Sequence, residues 1–322
     1  MKRASTILPL VLCAGLSQLS AAQTAYPNRP IRLIAPSGAG GPVDVITRIL
    51  AQGWSEVLRE QVVVENRVGA AGLIGADLVA KAVPDGYTLL MGFSGPLAIV
   101  PQLNDATPYD PLKDFAPISL VASAPYVLLV HPSVPAKSVK DLVALAKSQP
   151  GKLNFSSGGT GVGIHMAGEL FKQAAGVRIV HVPYKGAAPA MTALMAGEVD
   201  MMFNGLSAAL PAVKSGKVRA LAVGGDKRSA LMPELPTVGE SGFQFNTSGW
   251  YGVVAPKGTP QNVVSKLNAT LLQALKAPQT KRRLTDLAVE EIGSTPEEFS
   301  GRIRAEIATW GKVIKAAGLK GK

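Results

Sequence analysis

The stretches of this chain best suited to chemistry are two glycine-rich turns, Pro36-Ser37-Gly38-Ala39-Gly40-Gly41 and Ser156-Ser157-Gly158-Gly159-Thr160-Gly161. Each follows an apolar, strand-like run and precedes a helical pattern, so its backbone N–H groups stand at a helix N-terminus. There the positive end of the helix dipole favours an anion, and glycine lets a carboxylate approach the chain closely. A valine at Gly40 is expected to block that approach. The same glycines also suit tight turns that need positive φ, and the residues alone weigh the two roles about equally. Asp44 fits the local structure of the first turn better than a ligand contact.

Other polar groups end strand-like runs, where open α/β sheets place their ligands. They lie in Phe93-Ser94-Gly95-Pro96, Tyr184-Lys185-Gly186 and Phe203-Asn204-Gly205. Ser94 is a candidate carboxylate donor, and Phe93 is equally a pocket wall or a core residue. Tyr184, the Gly186 backbone and Asn204 are candidate contacts, whereas Lys185 fits a solvated charge. His165, on the helix after the second turn, reaches the cleft in one reading and is a surface or packed histidine in the slightly favoured other.

Enzyme chemistry finds less support. A serine hydrolase needs Gly-x-Ser-x-Gly, and Gly92-Phe93-Ser94-Gly95-Pro96 has proline where the second glycine belongs. Gly38-Ala39-Gly40 with Glu65 superficially matches a dinucleotide fingerprint, but Val43 holds the third glycine position and Pro42 interrupts the loop. His131, His165 and His181 lack the short spacing of metal ligands. No catalytic residue, cofactor or metal is expected.

The elements that must position these groups alternate strand and helix, the pattern of an α/β fold with largely parallel sheets. Strand Ile31 to Ala35, helix Val43 to about Arg59, strand Val62 to Val64, helix Leu73 to Ala82 and strand Thr88 to Phe93 form a first unit. A second follows the extended passage Ile118 to His131. It has a helix from Val139, strand Leu153 to Ser156, a helix from Ile164 to Ala175, strand Arg178 to Val182, a helix near Pro189 to Ala196, strand Val199 to Phe203, a helix near Ser207 to Lys214 and strand Arg219 to Val223. Strand Trp250 to Ala255 returns to the first unit, and Thr295-Pro296-Glu297-Glu298 has the capping-box order that starts a long last helix. The passages at Ile118 to His131 and Phe243 to Tyr251 read as two crossings between lobes, with a ligand cleft between them.

The N-terminus carries Lys2 and Arg3, an apolar run from Ile7 to Leu16 and the small residues Ser20-Ala21-Ala22, the layout of a cleavable secretory signal ending at Ala22. That run is too short to span a bilayer, so a soluble exported protein is expected. Cys13, the only cysteine, falls inside the signal behind bulky Leu12, which argues against a lipid anchor. The mature chain then has neither a disulfide framework nor a thiol nucleophile.

Removing Lys2 and Arg3 leaves 31 of the 33 basic residues against 22 acidic ones, a net charge of +9 that attracts anions. The basic residues are scattered and aromatics are only 5%, so a solvated surface explains most of the charge and nucleic acid is not an expected partner.

The motifs converge on a known family. Tyr26-Pro27 leading into Pro30-Ile31-Arg32, Pro36 through Gly40-Gly41 to Asp44, Val62-Val63-Val64-Glu65-Asn66-Arg67, Pro84-Asp85-Gly86-Tyr87-Thr88-Leu89, Tyr109-Asp110-Pro111-Leu112-Lys113-Asp114-Phe115, His181-Val182-Pro183-Tyr184-Lys185-Gly186, Leu235-Pro236-Thr237 and Ala255-Pro256-Lys257-Gly258-Thr259-Pro260 occur in order along nearly the whole mature chain. In these the sequence resembles the solute receptors of tripartite tricarboxylate transporters, also called the Bordetella uptake gene proteins.

The resemblance implies a type II periplasmic binding fold, with residues 1–22 as signal, 23–120 and 243–322 as one lobe and 121–242 as the other. It implies a monomer that delivers a small carboxylate to a membrane permease: a di- or tricarboxylate, an acidic amino acid or an aromatic acid. It also implies that Ser157, Gly159 and Thr160 meet the ligand from the second lobe, opposite Ser37 to Gly41, with backbone groups and ordered waters replacing an arginine clamp. A receptor for a membrane signalling kinase is the alternative within binding proteins, and an exported hydrolase the alternative outside them.

Overall fold

The computed structural model describes residues 26–321, so the expected signal and Cys13 lie outside the described residues. The chain runs β1 (Ile31–Ala35), α1 (Pro42–Leu58), β2 (Val62–Asn66), α2 (Leu73–Ala80), β3 (Thr88–Phe93), α3 (Val100–Leu103), β4 (Phe115–Val130), α4 (Val139–Ser148), β5 (Asn154–Ser157), α5 (Gly163–Ala175), β6 (Val180–Pro183) and α6 (Ala187–Ala196). It continues through β7 (Met201–Gly205), α7 (Leu206–Lys214), β8 (Arg219–Val223), β9 (Ser248–Pro256), α8 (Gln261–Lys276), α9 (Pro278–Asp286), β10 (Glu290–Glu291) and α10 (Pro296–Ala317).

Two sheets share one long strand. In the first, β1 pairs in parallel with β2 and β3, and β9 runs antiparallel between β3 and β4. In the second, β5 pairs in parallel with β6 and β7, while β4 is antiparallel to β7 and β8. The expectation of largely parallel sheets is thus corrected to mixed ones. The strands that cross between lobes must return against the βα series, and this makes them antiparallel.

β4 changes sheets within its length. Phe115 to Pro125 pair with β9, and Tyr126 to Val130 pair with β7. The second crossing lies alongside: Gly224 N–H donates to Tyr126 O at 2.8 Å and Thr247 N–H to Gly224 O at 2.8 Å, just before β9 starts.

Each sheet is covered on both faces. Ile46, Leu50 and Trp54 of α1 and Leu267 and Leu271 of α8 pack on one face of the first sheet, while Ala76, Val79, Phe299 and Ile303 of α2 and α10 pack on the other. The second sheet buries Leu142, Phe155 and Phe171 on the α4 and α5 side, and Met191, Leu194 and Ala209 on the α6 and α7 side. Near its C-terminal end α10 also joins the lobes, because Trp310, Val313 and Ile314 pack with Ala98, Ile99 and Met166. No described helix is long and apolar enough to cross a membrane.

Element boundaries follow local chemistry. Pro42 opens α1, where its missing N–H costs nothing. Thr295 and Glu298 form the expected capping box at the start of α10. One helical stretch was missed: Gly95–Ile99 winds as a wide turn running directly into α3, although Gly95-Pro96 reads in sequence only as the end of a strand.

Candidate ligand-binding cleft

A cavity of about 620 Å³ opens between the two sheets. Its wall comes from the carboxyl ends of β1 (Ser37, Gly38), β2 (Val68 to Gly72), β3 (Phe93 to Gly95), β5 (Gly158, Gly161) and β6 (Gly186, Ala187), with Tyr126, Gly249, Trp250 and Tyr251 from the two crossing strands. This is the crevice in which open α/β sheets bind ligands.

No Asp, Glu, Lys, Arg or His side chain is among its lining residues. Positive potential comes instead from the backbone. The helices α1, α2, α5 and α6 all begin at this wall, and none has a side-chain cap. The first-turn N–H groups of a helix have no intrahelical partner, and each N-terminus carries about half a positive charge; at α2 the Leu73 N–H already donates to Ala70 O in the preceding turn.

Several of the expected backbone donors are already engaged. In the first turn, Gly40 N–H donates to Asp44 Oδ2 at 2.8 Å and Gly41 N–H to Gly38 O at 3.2 Å. Asn66 Nδ2 ties this turn to β2 by donating to Ser37 O (3.0 Å) and Asp44 Oδ1 (2.8 Å), and Arg48 Nε donates to Asp44 Oδ2 at 3.1 Å. Burial alone would raise the Asp44 carboxyl, but the hydrogen bonds from Arg48, Gly40 and Asn66 outweigh it and hold the group below the usual carboxylate range. The structural role expected of Asp44 is the one observed.

Ser37 and Gly38 therefore face the cavity, whereas Ala39, Gly40 and Gly41 stand outside its lining. A Cβ on Gly40 would meet no protein atom within 4 Å, so within the fold a valine there is disfavoured by the backbone at φ +76°.

The second turn is braced from behind. Ser157 Oγ donates to Gly159 O at 2.9 Å, lies 2.7 Å from His181 Nε2, and accepts Gly159 N–H at 3.2 Å. His165 Nδ1 accepts Gly161 N–H at 3.1 Å, and the His165 and His181 rings lie 3.9 Å apart beside Phe155. His165 is fully buried, so the packed role is the observed one and the cleft role is corrected. Burial drives His165 down to about 3 and His181 to about 4, with the charge of Lys172 adding to both shifts and His181 also acting on His165.

Ser157 and Gly159 thus shape the turn and do not line the cavity, while Thr160 is exposed outside the lining; Gly158, Gly161, Val162, Gly163 and Ile164 form that side of the wall. A Cβ on Gly158 would lie 2.8 Å from Ala187 N, so the β5 and β6 turns touch only through glycine.

Phe93, Ser94 and Gly186 line the cavity. Tyr184 packs against the α6 side of the second sheet and its amide donates to Ser157 O at 2.9 Å. Asn204 is buried on β7, with its side-chain oxygen accepting Gly205 N–H at 2.9 Å. Neither belongs to the lining.

The residues missed in sequence are Val68 to Gly72 and the crossing-strand aromatics Tyr126, Trp250 and Tyr251. Gly69-Ala70-Ala71-Gly72 carried the same signal as the other turns, glycines between a strand and a helix. Tyr126 is seated by glycines: a Cβ on Gly163 would collide with its hydroxyl, and one on Gly249 would lie 3.4 Å from it. Burial raises the Tyr126 hydroxyl and pushes that of Tyr251 up to about 12, so both are neutral donors at neutral pH.

Ser94 has no histidine among its cavity neighbours, and the close pair Ser157–His181 is recessed behind the turn. Among the described residues no group of three His, Cys, Asp or Glu side chains is placed to hold a metal ion.

Comparison with known proteins gives a family and related solved structures. The family described as tripartite tricarboxylate transporter family receptor matches residues 46–319. The Bordetella pertussis protein BugT is 37% identical over 312 residues, covering 96% of this chain and 95% of BugT. The solved structure of Rpa4515 from R. palustris with adipate superposes with a TM-score of 0.80 at 37% identity, covering 91% of this chain and 98% of the other. That of MatC from Rhodopseudomonas palustris with bound malate gives a TM-score of 0.77 at 32% identity, covering 90% and 100%.

Proposed function

As the chain belongs to the tripartite tricarboxylate transporter receptor family, a family of periplasmic solute-binding proteins with the two-lobed α/β fold, we propose that it captures a small carboxylate and hands it to a membrane permease of that transporter class. The carrying observation is the cavity between the sheets, where four uncapped helix N-termini meet a wall without charged side chains. Such a wall stabilises an anion through backbone dipoles and leaves it free to depart, as transport requires.

The adipate and malate carried by two structural relatives fit the same class. We take Ser37, Gly38, Phe93, Ser94 and Gly186 as ligand contacts, joined by first-turn amides of Val43, Gly163, Ile164 and Ala187. The lobes close by rotation where β4 changes sheets at Pro125–Tyr126 and at the parallel crossing near Thr247. Residues 1–22 act as the export signal and the receptor works as a monomer without catalysis.

The test is calorimetric titration of the signal-cleaved protein with a panel of aliphatic and aromatic acids, alongside neutral sugars and cationic amino acids. Binding confined to acids supports the reading; binding of only neutral or cationic solutes overturns it.

A further inference from the structure

We propose that His165 and His181 are positioning residues for the ligand: two neutral imidazoles, each carrying its proton on Nε2, that set the β5–α5 turn from behind. This rests on the cleft being the ligand site. Neither histidine is among the lining residues of the cavity, so the pair acts on a ligand only through that turn.

The hydrogen bonds fix the protons. Gly161 N–H donates to His165 Nδ1 at 3.1 Å, so that nitrogen carries no hydrogen and the proton of the ring is on Nε2. Ser157 Oγ spends its single proton on Gly159 O at 2.9 Å and accepts Gly159 N–H at 3.2 Å, so His181 Nε2, 2.7 Å away, is the donor. An imidazolium at His165 would set one N–H against another at Gly161.

The surroundings keep the pair neutral. The two rings lie 3.9 Å apart, and Phe155 stacks on His165 and tilts against His181. Glu169 and Lys172 of α5 face them, but the Glu169 carboxylate is held by Lys172 Nζ at 2.8 Å through both oxygens and stands 3.7 Å from His165 Nε2. His165 Nε2 is consequently buried without a hydrogen-bond partner. An apolar side chain would avoid the cost of that unpaired donor, so what histidine supplies here is the acceptor at Nδ1.

The acceptor matters because of where Gly161 sits. Gly161 lines the cavity at φ +82°, and a Cβ on it would lie 2.6 Å from Leu103 Cδ1 of α3, on the first-sheet side. One residue beyond His165, Met166 is buried with Ala98, Ile99 and Trp310. The start of α5 is thus held by the histidines from within the second sheet's layers and by apolar contacts from the first. Freeing the Gly161 amide would let the turn shift away from both the ligand and Leu103.

Two measurements on the signal-cleaved protein test this. Long-range proton–nitrogen NMR spectra at neutral pH are expected to show His165 and His181 neutral and protonated at Nε2. An imidazolium or an Nδ1-protonated ring at His165, or a His181 Nε2 without a proton, overturns the brace whether or not any acid binds.

Shape-matched variants then read the effect on binding, with adipate and malate as calorimetric probes and melting temperature as the control for folding. His165→Asn keeps an acceptor where Nδ1 stands, and His165→Leu has the same shape without it. His181→Gln and His181→Met differ likewise in the donor at Nε2. His165→Leu is expected to bind the tighter probe about tenfold more weakly than His165→Asn, with faster amide exchange at Gly161. Equal affinity within the His165 pair overturns the positioning role, and the His181 pair decides it if His165→Leu fails to fold. If the unsubstituted protein binds neither acid, that counts against the carboxylate reading, while equal Gly161 exchange in the two His165 variants would still overturn the brace.

Discussion

The amide of Gly40 donates to the carboxylate of Asp44 at 2.8 Å, so the turn that looks most like an anion site already holds an anion of its own. The buried Asp44 carboxylate offsets part of the α1 dipole and fixes the turn to Asn66 and Arg48. The glycines there make a frame, and the donors left to a ligand begin at Val43.

Removing that frame has a direct consequence. Asp44→Ala leaves Gly40 N–H without its acceptor and Asn66 Nδ2 with Ser37 O alone, and is expected to lower stability by about 2 kcal/mol. Amide hydrogen exchange at Gly40 should quicken together with the drop in urea midpoint. An unchanged exchange rate would show that the hydrogen bond does not organise the turn.

The contact between Gly163 and Tyr126 is the second lever. Gly163→Ala places a methyl group against the Tyr126 hydroxyl, an overpacking expected to cost about 1–3 kcal/mol. Tyr126→Phe in the same chain removes the oxygen that collides, so the double variant should regain most of the loss. Additive losses in the double-mutant cycle would place the strain elsewhere.

Acid should loosen the second lobe through its histidines. Their folded values, about 3 for His165 and about 4 for His181, lie below the ordinary 6.5, so the unfolded chain binds more protons between these limits. Stability is therefore fully present above about pH 6.5 and declines as pH falls toward 4 and 3. Urea midpoints at pH 7.5, 6 and 5 should fall in that order, and His165→Asn with His181→Asn should flatten the trend. A wild-type midpoint that holds level to pH 5 contradicts the burial argument.

Much of the fold was legible because its signals are local. Thr295 and Glu298 announced the start of α10 by spacing alone, and the β1, β3 and β9 runs needed only apolar content. The antiparallel return of β4 and β9 was hidden, because pairing direction depends on partners far away in sequence. The site was partly legible: Ser37, Phe93, Ser94 and Gly186 sit at strand ends, where topology puts ligands. His165 was not, since a histidine that braces Gly161 from the core has the same sequence appearance as one facing a cleft. Nor could the chain order show which glycine amides are spent on Asp44, Gly38 and Ser157 and which remain free.

The most direct test of the central claim, that a carboxylate is held in the cleft by backbone dipoles without a cationic side chain, is a crystal structure of the signal-cleaved protein with its tightest acid. The expected result has carboxylate oxygens within hydrogen-bond distance of first-turn amides from both lobes, among Val43, Gly163, Ile164 and Ala187. A carboxylate paired with a lysine or arginine side chain, or an acid seated outside the cleft, would contradict the account.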